Sequence, residues 1–413
     1  MRFAIVRLAV SVIVVAFFTA CSSDTDDHDT GITFTLSGED VALSGFAFPP
    51  AASGDPAFVD GWEVKYDRLL VTVDAITLSE NPDTSPGDQS QTGKVVARAT
   101  GPWAVDLTKA GEAVSVSTQS RSSAFALARS TSVSIAHESS AAAPTTGRGS
   151  SDDTSVRLVH IANQNQSGGA KFDPAVRYAF GYDVVAASAG AIRVNLDASA
   201  TSDYDEMIAK GYAVLYSGTA TWKGGTACAS SDSTYDFTKL PTTVHFRFGF
   251  KTPTSYVNCQ NTDLEGQAFA GEEKQRGVQP KVDATTFVQL TLHTDHPFFD
   301  SVEHDAAEPY FDQFAALADA DGNVTLDAAS DVDFLAFKDK VGSPLPWRSC
   351  IASKTVKSGA RQFDSGSVPF DKNGAAESSL RGYGDFVAYL QSAQGHMNAD
   401  GLCAVRRQYA SPR

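Results

Sequence analysis

The densest concentration of chemistry-bearing side chains is His293-Thr-Asp-His-Pro-Phe-Phe-Asp300, followed by Glu303, His304 and Asp305. Three of the chain's eight histidines fall within the twelve positions 293–304. Two imidazoles and a carboxylate brought together form a ligand set for a borderline cation, zinc or copper(II), with water or a further side chain completing it. Spacing alone does not choose the metal. A polar strand face beside water also carries His and Asp as merely solvated residues, so the carrying element decides.

Residues 286–294 alternate as a strand does. Val288, Leu290 and Leu292 are expected to face a core, which puts Phe287, Gln289, Thr291, His293 and Asp295 on the other side. His293 and Asp295 then project side by side. His296 stands at the strand end, where Pro297 stops the ladder and turns the chain back. The expected ligands are His293, Asp295 and His296, joined by one of Glu303, His304 or Asp305. In residues 242–250, Val244, Phe246, Phe248 and Phe250 share one face, and His245 and Arg247 the other. If that strand pairs near 286–294, His245 supplies a ligand from a second strand.

Other chemistry has weaker support. Asp319-Ala-Asp-Gly-Asn-Val-Thr-Leu-Asp327 resembles the middle of an EF-hand loop, but Leu317 and Ala328 occupy the end positions where that family uses Asp and a bidentate Glu. An Asp-Gly turn explains the segment better. There is no G-x-S-x-G elbow, no H-E-x-x-H and no Gly-rich phosphate loop. Trp62, Trp103, Trp222 and Trp347 suit a sugar platform or, more commonly, a β-protein's core and rim. No arrangement of residues implies an organic cofactor.

The elements that must position these residues are mostly strands. Residues 32–36 alternate, Trp62, Val64 and Tyr66 oppose Glu63 and Lys65, and residues 69–78, 176–187, 191–196 and 212–222 continue the pattern, rich in Val, Thr, Tyr and Phe. The expected fold is mainly β, an antiparallel β-sandwich or distorted barrel over 32–298. A Pro/Asp/Ser loop at 80–92 and a Ser/Thr/Ala excursion at 115–154 interrupt it. Beyond residue 298 the period changes. Tyr310, Phe311, Phe314 and Leu317 predict a helix over 307–320, and Leu380, Tyr383, Phe386, Val387 and Leu390 another over 379–394. Residues 299–413 are therefore expected to form a smaller α-containing subdomain packed on the β-body.

At the N-terminus, Arg2 and Arg7 precede an apolar run from Leu8 to Phe18, which closes on Thr19-Ala20-Cys21-Ser22-Ser23. That is a signal-peptide layout. The run is about half of what spans a bilayer comfortably. The segment resembles the bacterial lipoprotein signal, in which a small residue precedes a cysteine that is lipidated and becomes the new N-terminus; Phe18 departs from the aliphatic residue usual there. The resemblance implies removal of residues 1–20, lipidation of Cys21 and attachment to a membrane in the cell envelope. Ser22, rather than Asp, favours the outer membrane, with the protein facing the periplasm or the surface. Residues 21–31, with Asp24, Asp26, Asp27, His28 and Asp29, read as a hydrated tether. The Asp60-Gly-Trp-Glu-Val and His-x-Asp-His-Pro-Phe segments are also similar to uncharacterised secreted or lipid-anchored bacterial proteins, which supplies no activity.

With 42% hydrophobic and 10% aromatic residues, the remaining chain can build a substantial core. A net charge of −16 argues against nucleic-acid binding, which rests on neutralising phosphates. Setting Cys21 aside leaves Cys228, Cys259, Cys350 and Cys403, an even set that predicts two disulfides in an oxidising envelope. Of three connectivities, locality favours Cys228–Cys259 and Cys350–Cys403. The function expected is a non-enzymatic envelope lipoprotein binding zinc or copper through the His/Asp cluster. An adhesion or scaffold module contacting an envelope protein or glycan is the alternative, and an unrecognised hydrolase with paired carboxylates or a Ser–His pair the third reading.

Overall fold

The computed structural model describes residues 31–52, 54–82, 85, 88–109, 154–162, 169–261, 275–303, 306–393 and 403–408. Cys21, the acidic tether up to residue 30, His304, Asp305 and the 115–154 excursion up to residue 153 lie outside the described residues.

In chain order the elements are β1 (Gly31–Ser37), α1 (Glu39–Ser44), β2 (Trp62–Ser79), β3 (Val95–Ala99), β4 (Trp103–Asp106), β5 (Ser155–Ala162), β6 (Ala179–Val184), β7 (Ile192–Arg193), α2 (Ala198–Lys210), β8 (Val214–Trp222), β9 (Ala229–Ser230), β10 (Thr243–Phe250), β11 (Thr254–Val257), β12 (Thr285–Thr291), α3 (Asp312–Ala315), β13 (Asn323–Thr325), β14 (Arg348–Ser349), α4 (Tyr383–Gln391) and β15 (Ala404–Arg407). They build a sheet-rich sandwich rather than a closed barrel. A small sheet ordered β12-β1-β5 faces a ten-stranded sheet whose main path runs β13-β10-β8-β2-β6-β11-β15.

Pairing in both sheets is mixed. In the small sheet β1 runs parallel to β12 and antiparallel to β5. In the large one most neighbours are antiparallel, and β13 lies parallel to β10. Strand alternation places the core as the residue pattern requires: Val244, Phe246, Phe248 and Phe250 are buried, as are Val288, Leu290 and Leu292, while Phe287 is 56% exposed. The rings of Phe34 on β1 and Phe180 on β6 lie 6.0 Å apart across the layers.

A second, smaller core lies on the outer face of the large sheet. Leu70, Ala104 and Leu215 point there and are covered by Ala200, Tyr204 and Met207 of α2. Asp197 caps this helix by accepting from the Ala200 amide at 2.7 Å, and Gly211 closes it in the left-handed region at φ 71°. The pattern of apolar residues had not predicted α2.

The C-terminal stretch shares the main core with the β-body. Phe311, Phe314, Tyr383, Phe386 and Leu390 pack in the same buried cluster as Trp62 and Phe246, and β13 and β15 join the large sheet. The helix expected over 307–320 is reduced to α3, because Tyr310 and Phe311 pack in opposite directions, toward Trp347 and toward Phe58. An apolar run buried on all sides imitates helical spacing.

The disulfides join Cys228 to Cys350 and Cys259 to Cys403, so the local pairing expected from the sequence is corrected. Strand pairing is the cause. β9 and β14 set Ala229 opposite Ser349, beside Cys228 and Cys350, while β11 and β15 set Val257 opposite Ala404, beside Cys259 and Cys403. Among the described residues no helix is long and apolar enough to cross a membrane.

Candidate metal centre

The strand carrying the histidine cluster ends at Thr291, and the chain then turns across the space between the sheets. Tyr66 of β2 donates its hydroxyl to the Thr294 carbonyl at 2.8 Å, and Tyr216 of β8 donates to the His293 carbonyl at 3.3 Å. Burial first, and then charge on neighbouring tyrosines, pushes both phenols well above their ordinary range. They stay protonated and act as fixed donors.

Residues His296–Phe298 form a 3-10 turn with Pro297 near its start. Pro has no amide hydrogen to lose there, which suits it to the first turn of a helix. Phe298 anchors the turn, its ring 5.1 Å from Phe58, 5.6 Å from Phe314 and 5.9 Å from Phe311. Its carbonyl accepts from the Tyr310 amide at 3.0 Å.

These anchors bring His293, Asp295 and His296 together, with one potential ligand atom from each lying within 4.8 Å of the others. The imidazoles of His293 and His296 stack with centroids 4.8 Å apart and planes 10° from parallel. His296 is fully buried, and its Nδ1 lies 3.0 Å from the Ala393 carbonyl just past the end of α4. A carbonyl only accepts, so Nδ1 carries the hydrogen. In the neutral ring the lone pair is then on Nε2, the tautomer that the second-shell hydrogen bond of a metal-ligating histidine fixes.

His293 keeps 18% of its side chain exposed, and its Nδ1 lies 3.5 Å from the Glu39 carboxylate. Asp295 retains some solvent contact but is crowded by protein. Burial pushes its carboxyl up to about 6, opposed by His293 and reinforced by the charge of Glu39.

Donors at about 2.0–2.1 Å from one zinc ion stand roughly 3.4 Å apart in a tetrahedron. The observed set, spanning up to 4.8 Å, must therefore close by as much as about 1.4 Å at its widest. His296 is pinned, so the adjustment falls on the ring of His293 and the carboxylate of Asp295.

Not every predicted ligand joins them. His245 is exposed on the outer face of the large sheet, its Nδ1 3.2 Å from Thr219 Oγ1. Tyr216 reaches His293 from the inner face, so the sheet itself separates the two histidines. His245 instead lines a cleft of about 600 Å³ beside α2, with Arg68, Asp203 and Arg247. Both arginines are already paired there: Asp203 lies 3.3 Å from Arg68 and 2.9 Å from Arg247, and Glu206 also pairs with Arg247. Glu303 is exposed and stands outside the cluster. Asp319 closes an Asp-Gly turn by accepting from the amides of Asp321 and Asn323, at 3.0 and 2.8 Å. Trp62, Trp103 and Trp347 are buried and Trp222 lies under Arg348, so the indoles form no open platform.

Behind the turn lies a buried ionic network. Asp60 accepts from the amides of Phe311 and Asp312, at 2.9 and 2.8 Å, and lies 3.7 Å from Arg361. Asp312 accepts from Trp62 Nε1 at 2.8 Å and is gripped by two nitrogens of Arg348, with Arg361 3.5 Å away. Arg348 stacks on Trp222 and Phe237, and Arg361 on Tyr310 and Trp347. Asp60 thereby fixes the 310–312 segment against which Phe298 packs. None of this was expected from the sequence: Asp60 lies about 250 residues from its partners.

No family model, no curated protein and no solved structure matches this chain.

Proposed function

We propose that this protein is an envelope lipoprotein that binds a transition-metal ion, zinc or copper(II), through His293, Asp295 and His296. The observation that carries the reading is the convergence of two imidazoles and a carboxylate within 4.8 Å, one imidazole already oriented by a backbone carbonyl. Two cysteine pairs at disulfide distance suit the oxidising compartment that a Cys21 lipid anchor implies.

The test uses the chain without residues 1–20, loaded with zinc or copper, dialysed and assayed for bound metal. One retained ion per chain is expected, lost in the His293→Ala/His296→Ala variant. Equal metal in both proteins sinks the reading, because it assigns the binding to the aspartates of the tether.

A further inference from the structure

β1 and β12 are parallel neighbours with Ser37 opposite Thr291, so both chains leave the sheet at the same end. The Leu292 amide still donates to the Ser37 carbonyl at 2.8 Å, which carries the register one step further. Two residues beyond the paired ends stand Glu39 and His293, with the carboxylate 3.5 Å from Nδ1.

The backbone of Glu39 is turned for this placement. Its φ is 63°, in the left-handed region that residues with an ordinary side chain seldom enter. Ser37 Oγ holds the Glu39 amide at 2.9 Å. A carboxylate thus reaches His293, from outside the three-residue group whose ligand atoms converge within 4.8 Å, on an element that the sequence separates from it by 254 positions.

Charge favours adding that carboxylate. Two neutral imidazoles and one aspartate leave a divalent ion with a net charge of +1 in a largely enclosed place, whereas a second carboxylate brings the site to zero. The Glu39 side chain is also more open than either histidine, 44% exposed against 18% for His293 and full burial for His296.

We propose that Glu39 is the fourth ligand and the solvent-side arm of the metal site, closing over the ion after it has met His293, Asp295 and His296. The proposal rests on the metal reading above. Metal then clasps the junction of β1 and α1 to the end of β12, and the ion leaves by release of Glu39.

Zinc titration against a chromophoric chelator, with transfer to excess chelator followed in time, tests this on the chain without residues 1–20. Glu39→Gln is expected to weaken zinc at least about tenfold, the lower end of what even a supporting residue contributes, and to speed release. His296→Ala is expected to abolish site binding. Cobalt(II)-loaded wild type and Glu39→Gln are expected to differ in visible absorption, since the coordination sphere changes. Zinc affinity, release rate and cobalt spectrum all unchanged in Glu39→Gln, with binding lost in His296→Ala, overturn the role of Glu39 and leave the metal site standing. A wild-type chain that binds no zinc removes both.

Discussion

Asp60→Asn gives a test whose sign depends on which interaction dominates the buried network. Two carboxylates, Asp60 and Asp312, share two arginines out of contact with water. They do not share them equally. Asp312 holds Arg348 through both oxygens and also accepts from Trp62, whereas the nearest cation to Asp60 is Arg361 at 3.7 Å. A proton taken up by the pair therefore sits on Asp60. Burial, and then the charge of Asp312, pushes its carboxyl from 3.8 up to about 7, against the opposing pull of Arg361, the Asp312 amide and Arg348.

The direction of the pH effect follows. Between pH 3.8 and about 7 the folded chain holds a proton on Asp60 that the unfolded chain has released. Stability thus falls as pH rises through this window, by at most about 1.4 kcal/mol per pH unit for one proton. The penalty is absent below the unfolded value and complete above about 7. Asn is neutral throughout and of the same size, so the variant lacks this slope. Urea unfolding of both proteins across the window, plotted as the difference in unfolding free energy, cancels the groups they have in common. The variant is expected to gain on the wild type as pH rises. A flat difference, or a variant that loses ground with rising pH, would show Asp60 ionised throughout, with Arg361 and the amides dominating, and would refute the reasoning.

Two further outcomes are expected. Tyr66→Phe removes the bond to the Thr294 carbonyl and leaves that buried acceptor unmatched, which costs roughly 1–3 kcal/mol and lowers the urea midpoint; an unchanged midpoint would count against the anchoring role. Peptide mapping without reductant should recover Cys228 linked to Cys350 and Cys259 linked to Cys403, and replacing the second pair by serine should cost about 2–5 kcal/mol; a Cys228–Cys259 peptide would contradict the β9–β14 pairing.

Features that depend on local alternation are legible in the sequence. The inward set Val244, Phe246, Phe248 and Phe250 and its outward neighbours His245 and Arg247 follow from a period of two, and so does the burial of Val288, Leu290 and Leu292. α2 was not legible, because its buried face consists of Ala200, Tyr204 and Met207 within a polar run, and a stripe of three such residues does not stand out. The disulfides illustrate a different limit. Closeness in sequence favoured Cys228–Cys259, yet cysteines follow the strands beside them, and the bonded pairs are 122 and 144 residues apart.

The same limit divides the candidate site. His293, Asp295 and His296 belong to one short segment, and Pro297 announces where that segment turns, so their association can be read from spacing alone. Glu39 cannot be found that way. Parallel strands need a long crossover, which separates their ends in sequence while placing them side by side in space. The β1–β12 pair therefore delivers Glu39 to His293 through a register that no periodicity in either segment encodes. The reverse holds for His245, whose alternation is plain but whose sheet sets it on the far side from the cluster. Spacing finds residues that share a segment, and strand order decides which distant residue comes to stand beside them.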